Sequence, residues 1–187
     1  MKNFRNVILF LMFGTIIASC NKNNVANVQH PLSNEFLTTT ILNLQNVSNP
    51  NDKPSISYYL NPNTPTVPPV ITPDTLKLTK NATYTCNIVI LDQTKTPVDT
   101  VSDVIKQREN IHLFFFYPTS GLMLTDSITD HDTNIPPLPF GLQSQIKTEA
   151  ASTGSLRVVL RHQPNVKNGT YGPGSTDLDV TYPVSIK

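Results

Sequence analysis

The sequence predicts an all-β domain, a single antiparallel β-sandwich of immunoglobulin-like or jelly-roll-like type with one short helix. Three observations lead to this fold class. The 187-residue chain has 16 prolines against 7 glycines and only 14% charged residues, which is poor material for long helices. Short β-branched runs recur between turn clusters. The last run, residues 176–186, alternates apolar and polar side chains as a half-buried antiparallel strand does.

Residues 1–19 predict a lipoprotein signal peptide that precedes this domain. Lys2 and Arg5 come before an uncharged, mainly apolar run over residues 6–19, which is too short to span a bilayer comfortably. The run ends in the letters IASC, and this ending resembles the lipobox at which bacterial lipoproteins are cleaved before a lipid-modified cysteine. We therefore predict that Cys20 is lipidated. The alternative is an ordinary secretory signal in which Cys20 is incidental.

Residues 20–34 predict a flexible tether, because they are polar, rich in Asn and without hydrophobic periodicity. By analogy with lipoprotein sorting signals, Asn21 beside the cysteine favours the outer membrane, with the protein facing the periplasm. Cleavage removes Lys2 and Arg5 from the 14 basic residues and leaves all 13 acidic ones, so the mature chain is almost neutral. Near-neutrality argues against a nucleic-acid partner, and it means that acyl chains must provide the membrane attachment.

The domain is predicted to occupy residues 35–187, and its first half to contain four strands. These strands cover residues 36–44, 55–60, 75–78 and 84–91. Five prolines between the second and third strands predict an extended edge or a loop, because proline cannot donate a ladder hydrogen bond. In the fourth strand Cys86 shares a face with apolar residues, so we expect a small buried side chain. Lipidation of Cys20 would leave Cys86 without a disulfide partner.

The second half is predicted to contain the helix and five more strands. Four apolar residues at helical spacing place the helix within residues 97–109. The strands cover residues 111–117, 121–129, 142–148, 155–162 and 176–186. In the last strand, five apolar side chains are expected to point inward: Leu178, Val180, Tyr182, Val184 and Ile186. Asp177 and Asp179 are expected to point outward, where they can pair with Arg157 and Arg161.

Several gapped motifs occur in an order and spacing that resemble a family of small, functionally uncharacterised lipoproteins from Bacteroidota. They are LDQTKTPV at 91–98, IHLFFFYPTSG at 111–121, AASTGSLRVVLRHQP at 150–164 and, at the two ends, PPVITPDTLKLTKNATY at 68–84 and GSTDLDVTYPVSI at 174–186. The resemblance implies an accessory protein of the cell envelope, with an outer-membrane receptor or another envelope protein as partner. Members often bear a label that refers to a type 1 periplasmic-binding fold. That fold needs two α/β lobes, whereas this chain lacks regular helical patterns.

Three histidines of the domain are candidate metal ligands. Neutral imidazole nitrogens suit zinc and copper, so His112 and His162, with His131 or Asp132, could bind one of these ions. The spacing contains no HxH or HxxxH pair. Alternation places His162 on an inward-facing stripe, and His112 shares its parity with Phe114 and Phe116. The alternative is therefore a pair of histidines in the core or at its rim.

Residues 130–134 form a D-x-D-x-N run of the type that begins a calcium loop. Asp130, Asp132 and Asn134 could converge on one cation if the backbone curls. Ile135 stands where such a loop has glycine, and Gly141 stands at the twelfth position, where it has glutamate. The sequence accordingly favours a polar hairpin loop between two strands.

The sequence contains no pattern typical of a catalytic site. No serine or cysteine stands in a G-x-S-x-G or comparable context, and the four aromatic residues at 114–117 are expected to pack mainly in the core. We expect no enzyme activity and no cofactor. The expected function is a noncatalytic binding or accessory module of the envelope. The alternative is a metal-binding envelope protein that uses His112 and His162 or the 130–134 loop.

Overall fold

The structure is a computed structural model that describes residues 36–61 and 68–187, all of which belong to one compact unit, Pro31–Lys187. The predicted signal peptide and tether, including Cys20, lie outside the described residues. Within the described ranges, no helix has the length and apolar character needed to cross a membrane.

The described chain forms eleven strands and one α-helix. In chain order these are β1 (Thr39–Asn46), β2 (Ser55–Tyr59), β3 (Val70–Thr72), β4 (Leu76–Leu78), β5 (Thr83–Asp92), β6 (Asp99–Thr100), α1 (Val101–Gln107), β7 (His112–Pro118), β8 (Leu124–Ile128), β9 (Gln143–Thr148), β10 (Ser152–His162) and β11 (Ser175–Ile186). The predicted all-β class with one short helix is confirmed. β3 is an edge strand within the proline-rich segment, for which the sequence predicted an extended edge or a loop, and β6 was not predicted, because two residues are too few to leave a pattern.

The strands form two sheets that share one apolar core. Sheet A has the order β3-β2-β1-β5-β9-β8, with β6 paired to the end of β5, and sheet B has the order β4-β11-β10-β7. Every pair is antiparallel except β4 and β11, which run parallel. The prediction of a purely antiparallel sandwich is corrected at this edge. These two strands lie far apart in the chain, so no hairpin fixes their relative direction.

Alternation along the strands builds the core, and β11 and β5 show it best. All five residues predicted to point inward from β11 are buried. On β5, the residues Tyr84, Cys86, Ile88 and Ile90 are buried, while Thr85 and Asn87 are exposed on the other face. β5 is a central strand, as predicted, because β1 pairs with one side of it and β9 with the other. Its outward face is polar in the half that pairs with β9.

The predicted helix lies within the expected range and packs against β5. Val101 and Ile105 are one turn apart on α1, and both are fully buried. Val98, which the helical spacing also included, precedes the helix and is exposed. A 3-10 turn, Glu109–Ile111, then leads into β7.

Cys86 is a free, buried cysteine, as predicted. Burial raises the pKa of its thiol to about 12, and the nearby carboxylate of Asp126 acts in the same direction. The thiolate is the reactive form of cysteine, so this side chain is chemically quiet at neutral pH.

The edge strand β8 places a carboxylate on the inner face of sheet A. Asp126 lies between the partly or wholly buried Leu124 and Ile128 on that face, and its Oδ1 is buried without a hydrogen-bond partner among the described residues. Burial raises the pKa of Asp126 to about 6, despite the neighbouring Ser144 hydroxyl. An inward-pointing charge on an edge strand discourages another chain from pairing there, at a cost in stability.

Replacing Asp126 with asparagine is expected to raise the free energy of unfolding at pH 7 by about 1–3 kcal/mol, because it removes a buried charge. A raised pKa stabilises the fold below the unfolded-state pKa, near 4, and that contribution is lost as the pH rises through about 6. The gain should therefore disappear at pH 4. Urea unfolding of the parent protein and the variant at pH 7 and at pH 4 measures this gain in stability. Asp74→Asn, a substitution at an exposed position, is the control. An equal gain at both pH values would contradict the burial of charge.

Candidate functional site

His112 and His162 face each other directly across β7 and β10. Their rings stack with centroids 5.0 Å apart and an angle of 21° between planes, and both residues are buried. Nδ1–H of His112 donates to the carbonyl oxygen of Arg108 at 3.0 Å, and its Nε2 is buried without a hydrogen-bond partner among the described residues. Strand alternation predicted buried positions for both residues. Only the register between the strands makes them neighbours.

A third side chain, Asp177, joins the two histidines. Its Oδ2 lies 3.7 Å from Nε2 of His112 and 4.0 Å from Nδ1 of His162. The sequence predicted that Asp177 points outward, and this prediction is wrong because the β10–β11 register shifts between Leu160 and Arg161. A bulge re-aims the side chain at that point. Burial lowers the pKa of His162, and Asp177 opposes this shift.

The histidine pair does not form a metal centre with the other predicted ligands. His131 is exposed and bridges Pro139, away from the pair, and Asp132 lies in a separate loop. An imidazole nitrogen binds a metal ion through a lone pair that lies in the plane of its ring. The two rings are stacked and nearly parallel, so their lone pairs lie in nearly parallel planes and do not converge on one ion. Among residues 36–61 and 68–187, no group of three or more His, Cys, Asp or Glu side chains is placed to hold a metal ion.

The predicted calcium loop holds a lysine ammonium group. Asp132 is buried and its Oδ2 lies 2.7 Å from Nζ of Lys167, while its Oδ1 accepts the backbone N–H of Leu138 at 2.8 Å and of Asn134 at 3.1 Å. Asn134 also donates its side-chain amide to Asp132. Burial raises the pKa of Asp132, but the Lys167 ammonium and the amide hydrogen bonds outweigh burial and lower it.

Asp130 serves the same loop in a different way. Its two carboxylate oxygens accept the backbone N–H groups of Gly141, at 2.6 Å, and Gln143, at 3.0 Å. The two aspartates therefore bind separate sets of main-chain amides and fix the loop between β8 and β9. These contacts match the polar-loop interpretation that the sequence favoured.

Two of the four aromatic residues at 114–117 lie outside the core. Phe114 is buried and Phe116 packs against the core, as predicted, but Phe115 and Tyr117 lie on the outer face of sheet B beside Tyr171. Arg161 stacks over the Tyr171 ring at 4.6 Å. Arg157 forms a two-bond pair with Asp179, at 2.7 and 2.6 Å, which confirms one predicted ion pair. The rings and cations of this face mostly contact one another.

A groove of about 500 Å³ lies on the outer face of sheet A, and most of its lining residues carry a carboxamide or a hydroxyl. The strands β1, β5 and β9 contribute its carboxamide residues, which are Asn43, Gln45, Asn87, Gln143 and Gln145. Ser55, Thr85 and Thr129 add hydroxyls, and Lys53 is the single charged residue among the described residues of the lining.

The carboxamides form two rows across the strands. In the first row Asn43 is opposite Asn87, and Asn87 is opposite Gln143. In the second row, Gln45 is opposite Thr85 and Thr85 is opposite Gln145. Adjacent strands are about 4.8 Å apart, so each row presents a polar group at that interval.

Most of these carboxamides make no hydrogen bond within the described part of the protein. Asn43 accepts a bond from the Ser55 hydroxyl at 2.9 Å. No side-chain hydrogen bond between described residues uses Gln45, Asn87, Gln143 or Gln145. Each of these four side chains presents both a donor and an acceptor to whatever enters the groove. This arrangement can bind a polar ligand.

Comparison of the chain with protein-family models, with curated proteins and with solved structures finds no match.

Proposed function

We propose that this chain is a noncatalytic, lipid-anchored binding module of the outer membrane, facing the periplasm, and that its ligand site is the groove on sheet A. The observation that carries the proposal is the set of four carboxamides in this groove that make no hydrogen bond to another described residue. Polar groups that pack a fold are normally paired inside it. Side chains left unpaired in a concave surface are available to a ligand.

The sequence supports the anchor and the membrane. The lipobox-like ending before Cys20, the tether at residues 20–34 and Asn21 favour a lipoprotein sorted to the outer membrane. The motifs that resemble Bacteroidota lipoproteins support an accessory role, in which an outer-membrane receptor or another envelope protein acts with the module. The near-neutral chain fits recognition by shape and local hydrogen bonds rather than by long-range attraction.

The anchor is tested by replacing Cys20 with alanine in the producing bacterium. We expect loss of palmitate labelling and release of the protein from the membrane fraction, because the acyl chains supply the attachment. Cys86→Ala is the matched control, since Cys86 is buried and should leave labelling unchanged. Unchanged labelling and fractionation of the Cys20 variant would overturn the anchor.

The groove is tested by photocrosslinking in intact cells. A photoreactive residue at Gln145 should crosslink an envelope component, whether polysaccharide or protein, and an Asn87→Ala, Gln143→Ala background should reduce the yield at least several-fold. The control position is Thr181, which is exposed on β11 of sheet B. Equal crosslinking from both positions, or a yield that the two substitutions leave unchanged, would overturn the groove as the binding site.

A further inference from the structure

We infer that the ligand of the sheet A groove is a neutral oligosaccharide, an inference that rests on the binding function proposed above. A sugar hydroxyl both donates and accepts a hydrogen bond. So does a carboxamide, through its N–H₂ and its C=O. The two rows on β1, β5 and β9 repeat such groups, five carboxamides and the Thr85 hydroxyl, at the spacing of the strands. A chain of hydroxyl-bearing rings laid across the strands would meet one such group after another.

The charge of the groove favours a neutral ligand. Lys53 is the only charged residue among the described lining residues, so none of these residues offers a carboxylate that would pair with it. An acidic polysaccharide or a nucleic acid would require several cations along its path. A basic ligand would require carboxylates, which this lining lacks throughout its described residues.

The main chain of the groove floor disfavours a peptide. An extended peptide binds most readily by adding a strand to an open sheet edge. The floor strand β5 is paired with β1 on one side and with β9 on the other, so its backbone groups are already used. The apolar residues of the lining are Leu44, Pro54 and Cys86, of which Leu44 and Cys86 are buried and Pro54 is half-buried. Few apolar side chains are therefore left to accept those of a peptide.

The lining residues in the described chain include no aromatic ring on which a sugar could stack, so hydrogen bonds to carboxamides must provide the affinity. We expect a dissociation constant of about 1 mM for a short oligosaccharide. Such weak binding suits repeated contact with an abundant polymer of the envelope better than capture of a scarce ligand.

The test is a titration followed by nuclear magnetic resonance, which detects the side-chain N–H₂ groups of Asn and Gln directly. The full chain is labelled with ¹⁵N and held in a detergent without a sugar headgroup, and it is titrated with maltotriose, cellotriose and mannotriose. We expect at least one of these neutral trisaccharides to shift the resonances of Asn87 and Gln143. Asn87→Ala and Gln143→Ala should each weaken the binding at least fivefold. The control is Gln107→Ala, an exposed glutamine on α1 outside the groove.

Two further probes separate this inference from the binding function itself. These probes are trigalacturonate, which is acidic, and an unstructured serine-rich peptide. If either shifts the groove resonances and none of the neutral trisaccharides does, the inference is overturned while the groove remains a binding site. Shifts that persist unchanged in Asn87→Ala would also overturn it. If no probe shifts the groove resonances, the inference fails, and the crosslinking experiment decides separately whether the groove binds anything.

Discussion

Replacing Asp132 with alanine is expected to lower the free energy of unfolding by about 3–5 kcal/mol, one of the largest losses that a single substitution can cause in this protein. The Asp132 side chain is fully buried and that of Lys167 is 2% exposed, so neither charge has water as an alternative partner. The substitution leaves the Lys167 ammonium with the carbonyl oxygen of Glu109, at 2.9 Å, and the Phe140 ring beside it. It also leaves the backbone amides of Leu138 and Asn134 without their acceptor.

The reciprocal substitution is expected to cost less. Lys167→Met removes the ammonium group, but the Asp132 carboxylate keeps the amide donors of its own loop. The combined variant should lose less than the sum of the two single losses, because no buried charge is then left alone. The chain has no Trp, so unfolding is followed by circular dichroism in urea. Asp179→Ala, which breaks an exposed pair, should cost less than about 1 kcal/mol. A comparably small loss for Asp132→Ala would contradict the buried pair.

Replacing Gly174 with alanine is expected to lower the free energy of unfolding by about 2–5 kcal/mol. Gly174 has φ of +79°, a left-handed conformation that costs about 1–2 kcal/mol with any Cβ. An added Cβ would also overlap the carbonyl oxygen of His162, which is backbone and cannot turn away. Relieving that overlap adds about 1–3 kcal/mol. The carbonyl of Gly174 accepts from Arg161 at 2.6 Å, so displacement of the turn also weakens the hold on that arginine.

Gly172 provides the matched control two positions earlier. It is exposed, and nothing lies within 4 Å of the Cβ that alanine would add. Gly172→Ala should therefore change stability by less than about 1 kcal/mol. The same urea series measures both variants. A loss for Gly172→Ala as large as that for Gly174→Ala would mean that any alanine in this loop is harmful, and it would contradict the specific overlap at His162.

Predictions from side-chain periodicity are confirmed where a strand or helix is regular, and the outward position predicted for Asp177 failed beside the β10–β11 bulge. The inward residues of β11, the burial of Cys86 and the helix within residues 97–109 all follow from the period of side chains along a single element. This kind of information is local, because one strand or one helix determines it without reference to its neighbours.

The candidate site could not be predicted in the same way, because it depends on which strands are neighbours. Asn43, Asn87 and Gln143 come from three separate segments, and only the β1-β5-β9 order places them in one row. Their exposure was predictable, since each is polar at an outward position. The ion pair between Asp132 and Lys167 and the approach of Asp177 to the histidines likewise depend on long-range packing and on one bulge. The signal in the sequence that could have indicated the groove was the recurrence of Asn and Gln at outward positions of several strands.

The place of β1 in sheet A has a mechanical consequence. β1 is the first described strand, and it lies between β2 and β5 rather than at an edge. If the lipid at Cys20 holds the chain, tension between the membrane and a bound ligand reaches the hydrogen bonds of Thr38 to Leu91 and Leu60 and then runs along this strand. The hydrogen bonds that pair β1 with β2 and with β5 lie perpendicular to the strand. A pull along β1 therefore loads the bonds to both neighbouring strands at the same time, in shear. A pull on the chain before β1 would thus meet the sandwich at a position that resists unzipping.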